Sequence, residues 1–166
     1  MKKTIMLAAL LLGVIACAIG VGNTQYRTSL GRKAPNIFLP SDTGMVSLDD
    51  LRGHHVLLNF WKSTDAQSRR AANEYTAWLR KHPGEVELLS VNLDESEPLF
   101  REIVRIDSLI PSTQHHVSGN HGKAVSDSYQ LDYGIGSLLI DPNGKIVAHN
   151  PDSETLTELT QTNIGR

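Results

Sequence analysis

Eight consecutive residues, His54-His55-Val56-Leu57-Leu58-Asn59-Phe60-Trp61, restrict this chain more than any other stretch. After the two histidines a single polar side chain interrupts the run, so it cannot keep one face in water as a surface strand does. It reads as a central strand buried on both faces. From about Asp65 to His82 the residues Ala72, Tyr75 and Leu79 recur at helical spacing, with Ala71 and Trp78 beside them, and His82-Pro83-Gly84 ends the pattern. "VELLSVNLD", Val86 to Asp94, is then a second central strand. Strand, helix and strand joined this closely imply a right-handed βαβ unit with a parallel strand pair.

A second helix is expected over about Glu95 to Leu109, with Leu99, Phe100, Ile103, Val104 and Ile106 mostly on one side. "STQHHVS" suits a short edge strand, and "GNHGKAVSDSYQL" a short helix ending near Tyr129. "GSLLIDPNGKIVAHN" is two β runs joined by Asp141-Pro142-Asn143-Gly144, whose residues favour a tight reversal, hence an antiparallel hairpin. A closing helix, about Ser153 to Thr162, turns Leu156 and Leu159 inward. Upstream of the central strand lie two short extended pieces around Ser41-Asp42-Thr43-Gly44 and a one-turn helix at Leu48 to Leu51. A βαβ unit followed by a β-hairpin and a C-terminal helix predicts one α/β domain, a three-layer α/β/α sandwich on a mixed sheet.

The amino-terminal end has a different character. Met1-Lys2-Lys3 precedes the apolar run "TIMLAALLLGVIACAIGVG", as in a secretion signal. Val14-Ile15-Ala16-Cys17 resembles a bacterial lipobox, in which Cys17 is lipidated. Ala16-Cys17-Ala18 also suits ordinary cleavage, and about 18 apolar residues suffice for a retained membrane anchor. The expected organisation is a leader or anchor over 1–17, a tether over 18–30 and a domain over 31–166, placed in the bacterial cell envelope, membrane-anchored and facing the periplasm or exterior. Cys17 is the chain's one cysteine, so the body holds no disulfide and relies on its core. With 166 residues and a formal net charge of -2, the chain offers nucleic acid no electrostatic reason to bind.

The blocks "GRKAPNIFL", "VSLDDLRGHHVLLNFW", "LLSVNLDES" and "LLIDPNGKIVAHN", in that order, resemble the thioredoxin superfamily and, within it, the exported TlpA/ResA-like thiol-disulfide oxidoreductases of the AhpC/TSA-redoxin group. The resemblance implies a thioredoxin-like fold, export and membrane attachment. It also implies Trp-Cys-x-x-Cys after the central strand, where this chain has Thr64-Asp65-Ala66-Gln67-Ser68. Both cysteines are missing. The family's cis-proline falls at Ile135, and a cis bond before a non-proline residue costs about 2.5–4 kcal/mol, so Gly134-Ile135 is expected to be trans.

Without a sulfur nucleophile the junction cannot exchange disulfides. Ser63 or Thr64 can cap the helix, with Asp65 in its first turn and Ser68 on the same face, less exposed. A hydrolase would need a base beside Ser68 and a Gly-x-Ser-x-Gly elbow, and neither is present. His115, His116 and His121 could supply a zinc or copper site; neighbouring strand residues point to opposite faces, so they read as solvated loop histidines, and neither metal nor cofactor is expected. His54, His55 and His149 gain no role. Lys62, Arg69 and Arg70 form a basic rim that could receive an acidic peptide but reads first as a solvated helix face. Trp61 and Trp78 suit the core. The functional expectation is a redox-inactive peptide- or protein-binding or scaffolding module. Its groove has Trp61, Ser63, Thr64, Asp65 and Ser68 on one side and Gly134, Ile135, Gly136 and Ser137 on the other. The alternatives are an accessory role in a thiol-disulfide pathway (cell redox homeostasis), with the partner supplying the sulfurs, and a periplasmic metal-binding protein.

Overall fold

The computed structural model describes residues 28–42 and 44–161. The leader, Cys17 and all but the last residues of the expected tether lie outside the described residues. Gly31 is already part of the domain, its N–H donating to Ile146 O at 2.7 Å.

The central strand β3 (Val56–Trp61) is buried at every position, the property its nearly continuous apolar run requires. It pairs in parallel with β4 (Glu87–Asn92) and antiparallel with β6 (Ser137–Ile140). The sheet is completed by β5 (Gln114–His116) beside β4 and β7 (Ile146–His149) beside β6, in the order β5-β4-β3-β6-β7. A separate antiparallel hairpin, β1 (Phe38–Ser41) and β2 (Gly44–Ser47), precedes the one-turn 3-10 helix Leu48–Leu51. The helices are α1 (Ala66–Lys81), α2 (Glu97–Ile106), α3 (Gly119–Tyr129) and α4 (Ser153–Gln161).

Alternation along β3 divides the core. Val56, Leu58 and Phe60 meet Val125 and Tyr129 of α3 and Leu39 of the hairpin, whereas Leu57 meets Tyr75 and Trp78 of α1 and Leu156 of α4. Trp61 continues the second face, packed with Ala72, Ile103 and Leu109. Leu57, Leu58, Val91, Leu139 and Leu156 are wholly enclosed, each burial contributing about 1.5–3 kcal/mol. This is the α/β/α sandwich expected, with a mixed sheet.

Some details differ from the sequence reading. Helix α1 is capped by Asp65 and not by Ser63 or Thr64, because its carboxylate accepts Ser68 N–H at 2.6 Å while Ser63 is engaged elsewhere. Helix α2 is shorter than expected and its apolar arc is wider than its packing surface, leaving Leu99 and Ile106 40% and 54% exposed. At the β6–β7 turn Gly144 has φ +77°, and a Cβ there would fall 0.8 Å from the Arg52 guanidinium. Glycine satisfies both requirements.

Candidate functional site

Strands β3 and β7 end at the same edge of the sheet, which brings the start of α1 beside the loop entering β6 and the loop between β7 and α4. Together these form a cleft of about 620 Å³ lined by Asn59, Gln67, Ser68, Arg70, Ile135 and Gly136 among others, with Glu74 of α1 and, from the segment before α4, Asn150 and Asp152.

The α1 side is rigidly built. Asp65 Oδ1 takes Ser68 N–H, and Ser68, 4% exposed, accepts Lys62 N–H at 3.2 Å and donates its hydroxyl to Asp65 O at 3.2 Å. The Ser68 amide is the first cause holding the Asp65 carboxyl below the usual carboxylate range. Just upstream, Ser63 donates its N–H to both Asp94 oxygens, at 3.1 and 3.2 Å, and its hydroxyl to Oδ2. Asn92 Nδ2 adds a further bond to Asp94 at 2.9 Å. Asp94 is buried, so it anchors the junction from below.

The opposite wall rests on Tyr75, whose hydroxyl bonds Ser137 Oγ at 2.6 Å and Pro151 O at 3.0 Å. Burial pushes its phenol above the ordinary tyrosine value. Asn150 Oδ1 accepts Ser137 N–H at 2.8 Å and lies over Gly136, where a Cβ would come within 2.7 Å of it. No peptide bond among the described residues is cis, so Gly134-Ile135 is trans. Among the described residues Ile135 has no hydrogen-bond partner for its N–H or C=O.

The residues expected at the groove are therefore only partly assembled there. Ser68, Ile135, Gly136 and Ser137 line the cleft and Asp65 stands at its helix head. Trp61 does not line it: it is 0% exposed, with its ring 6.0 Å from that of Phe100. Ser63 is turned to Asp94, while Thr64 and Gly134 are exposed outside the lining. The basic rim also needs correction. Arg69 is a bidentate partner of Asp107, at 2.5 and 2.6 Å, and Lys62 lines a separate cavity with Glu95, Asp127 and Asp132, which leaves Arg70 in the cleft. Asn59, Glu74, Asn150 and Asp152 were missed. The antiparallel direction of the hairpin was the available signal, since it returns Asn150-Pro151-Asp152 to the end where β3 stops.

The three histidines do not converge. His115 Nδ1 bonds Pro40 O and His116 Nε2 bonds Asp94 O, each at 2.7 Å on opposite faces of β5, and His121 is exposed on α3. Among the described residues no group of three His, Cys, Asp or Glu could hold a metal ion. His115 has a different consequence. Burial lowers its pKa, and its Nε2 has no partner, so the folded domain holds it neutral; burial lowers His55 likewise. The unfolded chain takes up protons near the ordinary histidine value of 6.5 where the folded chain does not. Stability is full above that pH and is lost as pH falls below it. Urea midpoints are expected to drop between about pH 7.5 and 5.5, with a shallower drop in His115→Gln; identical slopes would remove His115 from the account.

The sequence pattern of the AhpC/TSA family matches residues 30–149. The chain belongs to this family. The thiol-disulfide oxidoreductase ResA of Bacillus cereus is 27% identical over 172 residues, covering 96% of this chain and 95% of that protein. ResA of Bacillus subtilis is 28% identical over 157 residues, covering 88% and 84%. The crystal structure of a thioredoxin-like protein from Parabacteroides distasonis superposes with a TM-score of 0.70 at 32% identity, covering 81% of this chain and 96% of that one. The fold is thus thioredoxin-like and ResA-like, while the two cysteine positions implied by the resemblance carry Asp65 and Ser68.

Proposed function

We propose that this is an extracytoplasmic, membrane-attached thioredoxin-fold protein that binds an extended peptide or protein segment without exchanging disulfides. The observation that carries the reading is the Asp65–Ser68 cap: the two positions that would form and resolve a mixed disulfide are committed to one another through a 2.6 Å hydrogen bond. Neither has a sulfur to offer. The unpaired N–H and C=O of Ile135 beside the cleft suit an extended backbone added along that loop. Attachment through lipidated Cys17 or an uncleaved apolar leader is supported by the leader sequence. Among the described residues no helix is long and apolar enough to cross a membrane. The likeness to ResA over nearly the whole chain favours a second reading, an accessory part in a thiol-disulfide pathway whose partner supplies the sulfurs.

Photo-crosslinking in intact cells separates these readings from an empty cleft. A probe at Gln67, an exposed lining residue, is expected to give a discrete adduct that a probe at Asn120 on α3 does not. Equal patterns from both positions would sink the groove. An adduct whose partner carries an essential cysteine pair favours the accessory role.

A further inference from the structure

The charge of the cleft is opposite to what the Lys62-Arg69-Arg70 cluster suggests. Arg69 is neutralised by Asp107 and Lys62 faces another cavity, so Arg70 is the cation among the lining residues. Against it stand Glu74 and Asp152 in the lining and Asp65 at the helix head. Arg70 and Glu74 are one helical turn apart yet form no ion pair. Asp65 and Asp152 are each held below the usual carboxylate range, first by the Ser68 and Thr155 amides respectively, so both are ionised at neutral pH. Carboxylates therefore outnumber the cation.

A second feature points the same way. Asn59 is 1% exposed, and its Oδ1 is buried without a partner. Its Nδ2 donates to Ser90 Oγ at 3.2 Å, toward β4. Asn59 itself lines the cleft, and its register partner on β6 is the cleft residue Ser137. A buried acceptor left unpaired is a standing cost that a donor arriving with a ligand would recover.

We infer that the cleft selects an extended segment bearing a lysine or arginine, whose cationic head is set between Glu74 and Asp152 and donates toward Asn59 Oδ1. This rests on the peptide-groove reading above and adds the chemistry of its occupant. Ammonium and guanidinium groups are donors without acceptors, matching a site that offers negative charge and a free carbonyl oxygen.

The test uses the full chain in detergent and three fluorescein-labelled probes of sequence Ala-Val-Xaa-Val-Ala, with Xaa lysine, glutamine or glutamate, read by fluorescence polarisation. The lysine probe is expected to bind about tenfold tighter than the glutamine probe at low salt, and the glutamate probe weakest, with the spread shrinking at high salt. Glu74→Gln with Asp152→Asn should erase the lysine advantage, so that on this variant the lysine and glutamine probes bind alike; asparagine still caps α4. Equal affinity for the three, or preference for glutamate, overturns the charge selection while leaving the groove. No binding by any probe, together with silence at Gln67 in the crosslinking, overturns both.

Discussion

Trp61→Ala lowers the unfolding free energy by about 3–5 kcal/mol, the range for truncating a fully buried large side chain. Trp61 has no exposed surface and closes the space between Ala72 of α1, Ile103 of α2 and Leu109. Alanine there leaves a cavity that two helices border and neither can fill, since α2 is held at its C-terminal end by the Arg69–Asp107 pair. Trp61→Phe should cost far less. The indole Nε1 has no hydrogen-bond partner, so losing it removes an unsatisfied buried donor along with some volume. Urea unfolding near neutral pH measures both. A cost under about 1 kcal/mol for the alanine variant would return Trp61 to the groove, where truncation creates no cavity.

Asp94→Ala is the second large effect, an expected loss of about 2–4 kcal/mol, because it strands three donors and not one. Ser63 N–H, the Ser63 hydroxyl and Asn92 Nδ2 all point at this carboxylate, in a place with little access to water. Asp94→Asn keeps one acceptor oxygen but turns an NH2 toward the remaining donors, so an intermediate loss is expected. The local signature is faster amide exchange at Ser63. Slow exchange there in Asp94→Ala would show that the junction is held by the α1 cap alone.

Much of the fold could be read from runs and periods. β3 is apolar but for Asn59, and such a strand needs a place covered on both faces, here by two helical layers. The helical spacing of Ala72, Tyr75 and Leu79 oriented α1, with Ser68 on its inward face, although Trp78 beside that line is buried and Leu79 only partly so. Less of the site was legible. Ser63 and Thr64 are both good capping residues, but Ser63 is drawn off by Asp94, 31 positions further on, and the helix begins at Ala66, which puts Asp65 and not Thr64 at the cap. Leu99 and Ile106 share the α2 pattern with Ile103, but the surface available to α2 is narrower than its apolar arc. The basic rim failed for a similar reason: Arg69 and Arg70 are adjacent in the chain, yet a helix sends neighbours about 100° apart, and Asp107 lay on one side only.

By itself the sequence determined the architecture and the absence of a thiol at positions 65 and 68. Apolar patterning sets which segments must be buried, and no arrangement of Asp65 and Ser68 can create a thiolate. The tertiary structure alone decided the character of the cleft. Charge at a surface depends on which long side chains find partners across the fold, and Arg69 found Asp107 while Glu74 and Asp152, far apart in the chain, came to line one cleft.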